Sequence, residues 1–462
     1  MRDMELSRAS WLVRLGPVAV GILVALVLLV LPMRGATFLW DDWCFLGRAL
    51  HDPWPRRWLE PEGDHWSPML FALLELEFRV FGPRHVLFML LTVAIHALNV
   101  FLLERLLAQR TGDAVAGALG ATAFAVAVVY REVIWWAELA GLALALTTVL
   151  LAFLELQSAG TRGSVSRRTI ATVALATFLA PCLHGMGLAL GPALALEALV
   201  VLPAAGRGRA VLAIATSWVL YLAILREVRL PAATRLPHDL AESKLAAAWF
   251  VSALGEGVAG GALLLPGSSA LGGAVGAALY AAAVGLIACC LEGRERRSVL
   301  LAQVLPILVL AMVSLKRWSP GALISAAASG PTASRYEYLP VVGWTVAFSH
   351  AIATGLRARP RATGALAGLL LALLAWGHAG RVRNDPRIRQ RNQEGEFIGH
   401  LVRAATSAKG PVFDALLSDN TRASQLVSVL APDASVIWTE VATRASLAPY
   451  ERDPYFHQGG PR

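Results

Sequence analysis

The sequence predicts an all-α polytopic membrane protein, and three observations carry that prediction. Of 462 residues, 56% are hydrophobic and only 16% charged, which is too little polar surface to cover a water-soluble globule of this length. Apolar runs long enough to cross a bilayer, about 17 to 25 residues each, recur along the chain. Arginines cluster in every second connection between those runs, as expected for connections that face the cytoplasm.

The runs lie near residues 11–33, 86–107, 114–130, 136–156, 169–185, 187–203, 210–226, 272–291, 298–315, 339–355 and 363–379, an expectation of about 11 transmembrane helices. The first follows basic residues and is longer than a signal-peptide core, so it reads as a retained anchor. Arg2, Arg8 and Arg14 precede it, and Arg105 and Arg110, Arg162, Arg167 and Arg168, Arg207 and Arg209, Arg294, Arg296 and Arg297, and Arg357, Arg359 and Arg361 mark the alternate connections. This alternation puts the N-terminus in the cytoplasm and the C-terminus outside. The stretch "LAAAWFVSALGEGVAGGALLLPG" (245–267) is broken by Glu256 and several glycines. As a span it would place "GRERR" outside, so it is expected as an interfacial or re-entrant piece of an external loop.

The large connections then all share the external side: 34–85, 227–271, 316–338 and a tail from about 380. Two units follow: a transmembrane domain over 1–379, whose first external loop (34–85) contains interfacial helices, and a small external α+β tail over 380–462. No direct or inverted repeat of the transporter kind is visible. The net charge of +9 sits in short arginine clusters between apolar runs, which suits topology and lipid contact; the partner is the bilayer and no nucleic acid is expected. Cys44, Cys182, Cys289 and Cys290 lack zinc spacing, so no metal site is read from them.

The first external loop begins "WDDWCFLGRAL". Adjacent carboxylates repel, and each is costly to desolvate. Asp41 and Asp42 therefore suit a general base or a charge that stabilises a cationic transition state; a solvated loop start with a helix N-cap is the bland alternative. Trp54, Trp58 and Trp66 fit a headgroup belt. From Pro68 to Phe81 the spacing predicts an interfacial helix with Leu70, Leu73, Leu74, Phe78 and Phe81 on one face and an i,i+4 pair of Glu75 and Arg79 on the other. Glu77 projects into the apolar face. Either that face looks into a water- or ligand-filled cavity, with Glu77 as an acidic cavity residue, or the helix is rotated or ends sooner.

Further on, His96 and Asn99 stand at i,i+3 inside a span and call for interhelical hydrogen bonds. At the next external boundary, Arg131, Glu132 and Glu138 surround Trp135 and Trp136; Arg131 either meets an acidic ligand or pairs with Glu132. Lys316, Arg317, Arg335, Tyr336 and Tyr338 form a second external cluster. Positive charge there runs against the orientation rule and asks for a local anion, for which the arginine fork and tyrosine hydroxyls suit a phosphate.

Four local patterns resemble one family: "WDDW", "HWSPMLFALLELEFRVFG" followed by "HVLFMLLTVAIHALNVFLLERLL", "EVIWWAELAGLALALTTVLLAFLEL" and "SRYEYLP". Together they are similar to the type C (GT-C) glycosyltransferases, specifically the protein O-mannosyltransferases and related transmembrane mannosyltransferases, over about a third of the chain. The resemblance implies an inverting transfer of a sugar from a polyprenyl-phosphate-linked donor to an acceptor at the external face. Asp41 is then the base, with Asp42 as companion, and Arg335, Tyr336 and Tyr338 match the family's late element near the carrier phosphate. His65 falls where the family carries a polar residue, but Trp66 replaces the arginine that often follows. No cofactor is implied beyond the lipid-linked sugar, although the acid pair could hold a divalent metal. The acceptor is a glycan, a protein or a lipid, and a bacterial inner (plasma) membrane is the expected location. Two competing readings remain: a transporter or flippase of a lipid-linked glycan, and a non-catalytic scaffold of the same fold.

Overall fold

A computed structural model describes residues 15–36, 38, 42, 45, 46, 49, 66–82, 84–127, 130–228, 237, 239–255, 270–317, 336, 338–385, 388, 389 and 392. Among them there are helices and turns but no strand. The chain is a multi-pass membrane protein: six helices are long and apolar enough to cross a bilayer, namely Leu15–Met33, His85–Thr111, Ala137–Arg162, Ala204–Glu227, Gly293–Leu315 and Pro360–Gly380.

The first, α1 (Leu15–Met33), loosens into a π turn at Ala25–Val30 and a 3-10 turn at Leu31–Met33, where Pro32 lacks the N–H that would continue the ladder. Next, α2 (Pro68–Phe81) opens on a proline and closes at Gly82 with φ 59°. Its bounds are those the periodicity predicts. Helix α3 (His85–Thr111) ends at Gly112 with φ 70°, and α4 (Ala114–Val126) starts at once because Asp113 accepts from the Val115 and Ala116 N–H groups. At 13 residues α4 is about 20 Å long, shorter than a bilayer core of about 30 Å.

A short α5 (Arg131–Trp135) and a 3-10 turn (Ala137–Leu139) lead into α6 (Ala140–Arg162). Then come α7 (Arg167–Leu183), α8 (Leu190–Val201, preceded by the 3-10 turn Gly185–Ala189) and α9 (Ala204–Glu227). The second half comprises α10 (Leu240–Ser252), α11 (Ala270–Cys289), α12 (Gly293–Ala302), α13 (Val304–Arg317), α14 (Val341–Ala358) and α15 (Pro360–Arg383).

The core sits where α3 packs on α4 and α6, α6 on α7, and α4 on α14, with Leu103, Leu107, Phe124, Leu146, Leu150 and Val346 fully or almost fully buried. Small residues permit the closest approaches: a Cβ at Gly141 would lie 2.5 Å from the Leu183 carbonyl oxygen. Polar groups collect in two separate places in the bundle. Asp42, Arg131, Glu138 and Asp385 gather at one, and Arg110, Glu197 and Ser298 at the other.

The described residues bear on three sequence expectations. Ala114–Val126, Gly185–Val201 and Gly273–Cys289 are apolar but shorter than the six, and neither Arg167–Leu183 nor Val341–Ala358 meets the same standard, so about 11 spans is more than length and apolarity support. The "GRERR" stretch is the first turn of α12, not a loop, because the backbone after Glu292 turns directly into helix. Within 245–267, α10 reaches Ser252 and packs against α11 and α13, while 256–269 lie outside the described residues. The expected tail domain lies outside them beyond residue 392.

Candidate functional site: buried carboxylates at one end of the bundle

Asp42 is placed by what precedes it. After α1, Phe38 turns inward and stands edge-on to His85 and Phe88, with centroids 5.1 Å and 4.9 Å away. Asp42 then points into the protein, 0% exposed, and its Oδ1 accepts the backbone N–H of Glu138 at 2.9 Å. Glu138 lies in the 3-10 turn that opens α6. First-turn N–H groups have no partner within their helix, and the N-terminal end of the helix dipole favours an anion. Asp42 thus caps α6 from a segment far away in the sequence.

Glu77 reaches the same place from α2. Leu70, Phe71 and Leu74 anchor the buried face of that helix against Phe38, Leu46 and Ala49, and Glu77 shares that face at 2% exposure. Glu75 and Arg79 pair at 2.5 Å with Arg79 well exposed, as the periodicity predicts. Neither Glu77 carboxyl oxygen has a hydrogen-bond partner among the described residues. Burial, followed by the negative charge of Asp42, pushes the Glu77 carboxyl up to about 8. At neutral pH Glu77 therefore holds its proton beside Asp42. Glu77 is thus buried on the apolar face of a helix that runs to Phe81 as expected.

Around this pair, α5 ties the end of the bundle together. Trp135 donates from Nε1 to the Leu29 carbonyl at 3.2 Å, its own carbonyl accepts from His85 Nε2 at 2.9 Å, and Arg131 lies 3.8 Å from Asp385. Arg131 is thus joined to an acid just past α15. At the same end a groove of about 770 Å³ runs between α1 and α15, lined by Val27, Leu28, Pro32, Trp376, Val382 and Arg383 among others. It is largely apolar with a cation at one side, and Trp376 is 82% exposed.

Not every predicted site residue joins this cluster. Tyr338 is fully buried inside the bundle and not at its surface: its hydroxyl accepts from Asn99 Nδ2 at 3.0 Å and lies 3.1 Å from His96 Nδ1. Asn99 also donates to the Ala143 carbonyl and accepts from Thr147, so the expected interhelical hydrogen bonds of His96 and Asn99 are present. Tyr336 is partly exposed and meets Trp249 edge-on at 6.0 Å. Lys316 and Arg317 close α13, but their side chains, like Asp41, His65 and Arg335, lie outside the described residues.

Glu138 belongs to the cluster although no sequence pattern assigned it a role. Its neighbours Trp135 and Trp136 marked the boundary, but only the fold brings its backbone to Asp42. Among the described residues, no three His, Cys, Asp or Glu side chains converge as metal ligands would. Comparison with protein-family models and with curated proteins gives no match to this chain.

Proposed function

We propose that the chain is a membrane glycosyltransferase of the GT-C type, moving a sugar from a polyprenyl-phosphate carrier to an acceptor at the external, periplasmic face of a bacterial inner membrane. The observation that carries this reading is the burial of two carboxyl groups, Asp42 and Glu77, in one place at one end of the bundle, where Asp42 caps the start of α6. A buried carboxyl pushed up by burial and by a neighbouring carboxylate charge is an arrangement that acid–base chemistry at neutral pH uses. The apolar groove between α1 and α15 at the same end, with Arg383 on its lining, suits a lipid chain and its phosphate.

In the proposed step, Asp41 takes the proton of an acceptor hydroxyl as its oxygen bonds to the anomeric carbon. The bond from that carbon to the phosphate oxygen breaks, and the polyprenyl phosphate leaves with the electron pair, so the configuration inverts. Asp42 fixes the start of α6 and shapes the field around Asp41. Arg335, with Lys316 and Arg317 at the end of α13, would hold the carrier phosphate.

Native mass spectrometry of the full chain purified in mild detergent tests this. Wild type is expected to carry polyprenyl phosphate or its sugar-bearing form. Asp41→Asn should enrich the sugar-bearing form, and Arg335→Ala should lose the lipid. Absence of any carrier from all three overturns the reading. Carrier whose sugar content ignores Asp41→Asn favours a flippase or a scaffold instead.

A further inference from the structure

The opposite end of the bundle holds a second polar cavity that the proposed transfer does not use. It measures about 370 Å³ and is walled by the ends of α3, α6 and α8 and the start of α12. Arg110 from α3 is 7% exposed, and one of its NH groups donates to Glu197 Oε1 at 2.6 Å. Gln157 donates to the same oxygen at 2.5 Å, and the other Arg110 NH group reaches the Ser298 carbonyl at 3.3 Å. The Arg110 Nε–H is buried with no partner.

Arg294 and Arg297, both exposed, complete the lining, Arg294 lying 3.5 Å from Gln157 Oε1. Arg297 has no carboxylate partner among the described residues. Gly293, also in the wall, is the first residue of α12, whose N-cap Glu292 makes no side-chain cap. The cavity therefore presents three guanidinium groups and the N-terminal dipole of a helix against the single carboxylate of Glu197.

We infer that this cavity binds a phosphate group. A guanidinium fork donates two parallel hydrogen bonds to phosphate oxygens, and a desolvated arginine with an unused donor is costly unless an acceptor arrives. The Glu197 contact holds Arg110 in place, so that its unused Nε–H and the exposed Arg294 and Arg297 together meet the ligand. The phosphate belongs either to an anionic phospholipid headgroup, for which basic pockets between membrane helices are suited, or to a soluble phosphate. This site is independent of the transferase reading, because it shares no residue with the Asp42 end.

The test uses the full chain in detergent and two double variants that each remove two exposed charges at the same end: Arg294→Gln with Arg297→Gln inside the cavity, and Arg359→Gln with Arg361→Gln outside it. Phosphatidylglycerol retention is read by native mass spectrometry, and stabilisation by inorganic phosphate by thermal unfolding. The cavity pair is expected to weaken phosphatidylglycerol binding about tenfold or more while the outer pair leaves it unchanged. Loss of phosphate stabilisation alone in the cavity pair supports the site with soluble phosphate as the source. Equal loss in both pairs, or loss in neither, overturns the inference.

Discussion

Glu77 and Asp42 reach one buried place from opposite ends of the same connection, and the negative charge of Asp42 adds to burial in holding the Glu77 carboxyl near 8. The pair has a measurable signature. Because the folded-state value lies above the ordinary carboxylate value, the folded protein binds more protons than the unfolded chain between about pH 4.5 and 8.

Stability linked to Glu77 is therefore full below the lower limit and falls as pH rises through that window, by an amount on the order of a few kcal/mol. Thermal unfolding in detergent at pH 5.5 and 8.5 checks this. Wild type should lose more between the two conditions than Glu77→Gln does. An identical loss in the variant would show that Glu77 does not titrate in the window.

Asp42 has two separable jobs. Asp42→Asn keeps an oxygen for the Glu138 N–H but removes the charge, so α6 should stay capped while the Glu77 titration moves down. Asp42→Ala also loses the acceptor and should cost about 1 to 2 kcal/mol of stability. Unfolding midpoints separate the variants, and the carboxyl stretch of Glu77 followed by infrared spectroscopy against pH reads the titration.

Tyr338→Phe removes a buried hydroxyl on which Asn99 and His96 converge. Leaving those groups unmatched should cost about 1 to 3 kcal/mol, measured by unfolding. Asn99→Leu in the same background should then add less than it does alone, since both changes break one network.

At the far end, Arg110→Ala should be among the most destabilising single changes, at about 3 to 5 kcal/mol, because it leaves Glu197 buried without its cation. Removing both groups, as Arg110→Met with Glu197→Leu, should recover part of that loss. A double variant no more stable than Arg110→Ala would argue against a charge-pair origin.

The sequence alone was enough for what depends on local periodicity and composition. A run of 14 residues with leucines on one face predicts α2, and its bounds hold to the residue because a proline opens it and a glycine in the left-handed region closes it. The odd position of Glu77 was equally visible, since an acid in an apolar stripe breaks a pattern any reader can count. The apolar runs and arginine clusters identify a multi-pass membrane protein on the same footing.

Tertiary structure decided which distant groups meet. No spacing says that the Glu138 N–H caps onto Asp42, that Tyr338 leaves the surface for His96 and Asn99, or that Arg131 reaches Asp385. The reason is physical. Periodicity records which face of a helix is apolar, whereas a buried polar group chooses whichever donor or acceptor the packing brings within about 3 Å, and that choice depends on elements the local sequence does not contain.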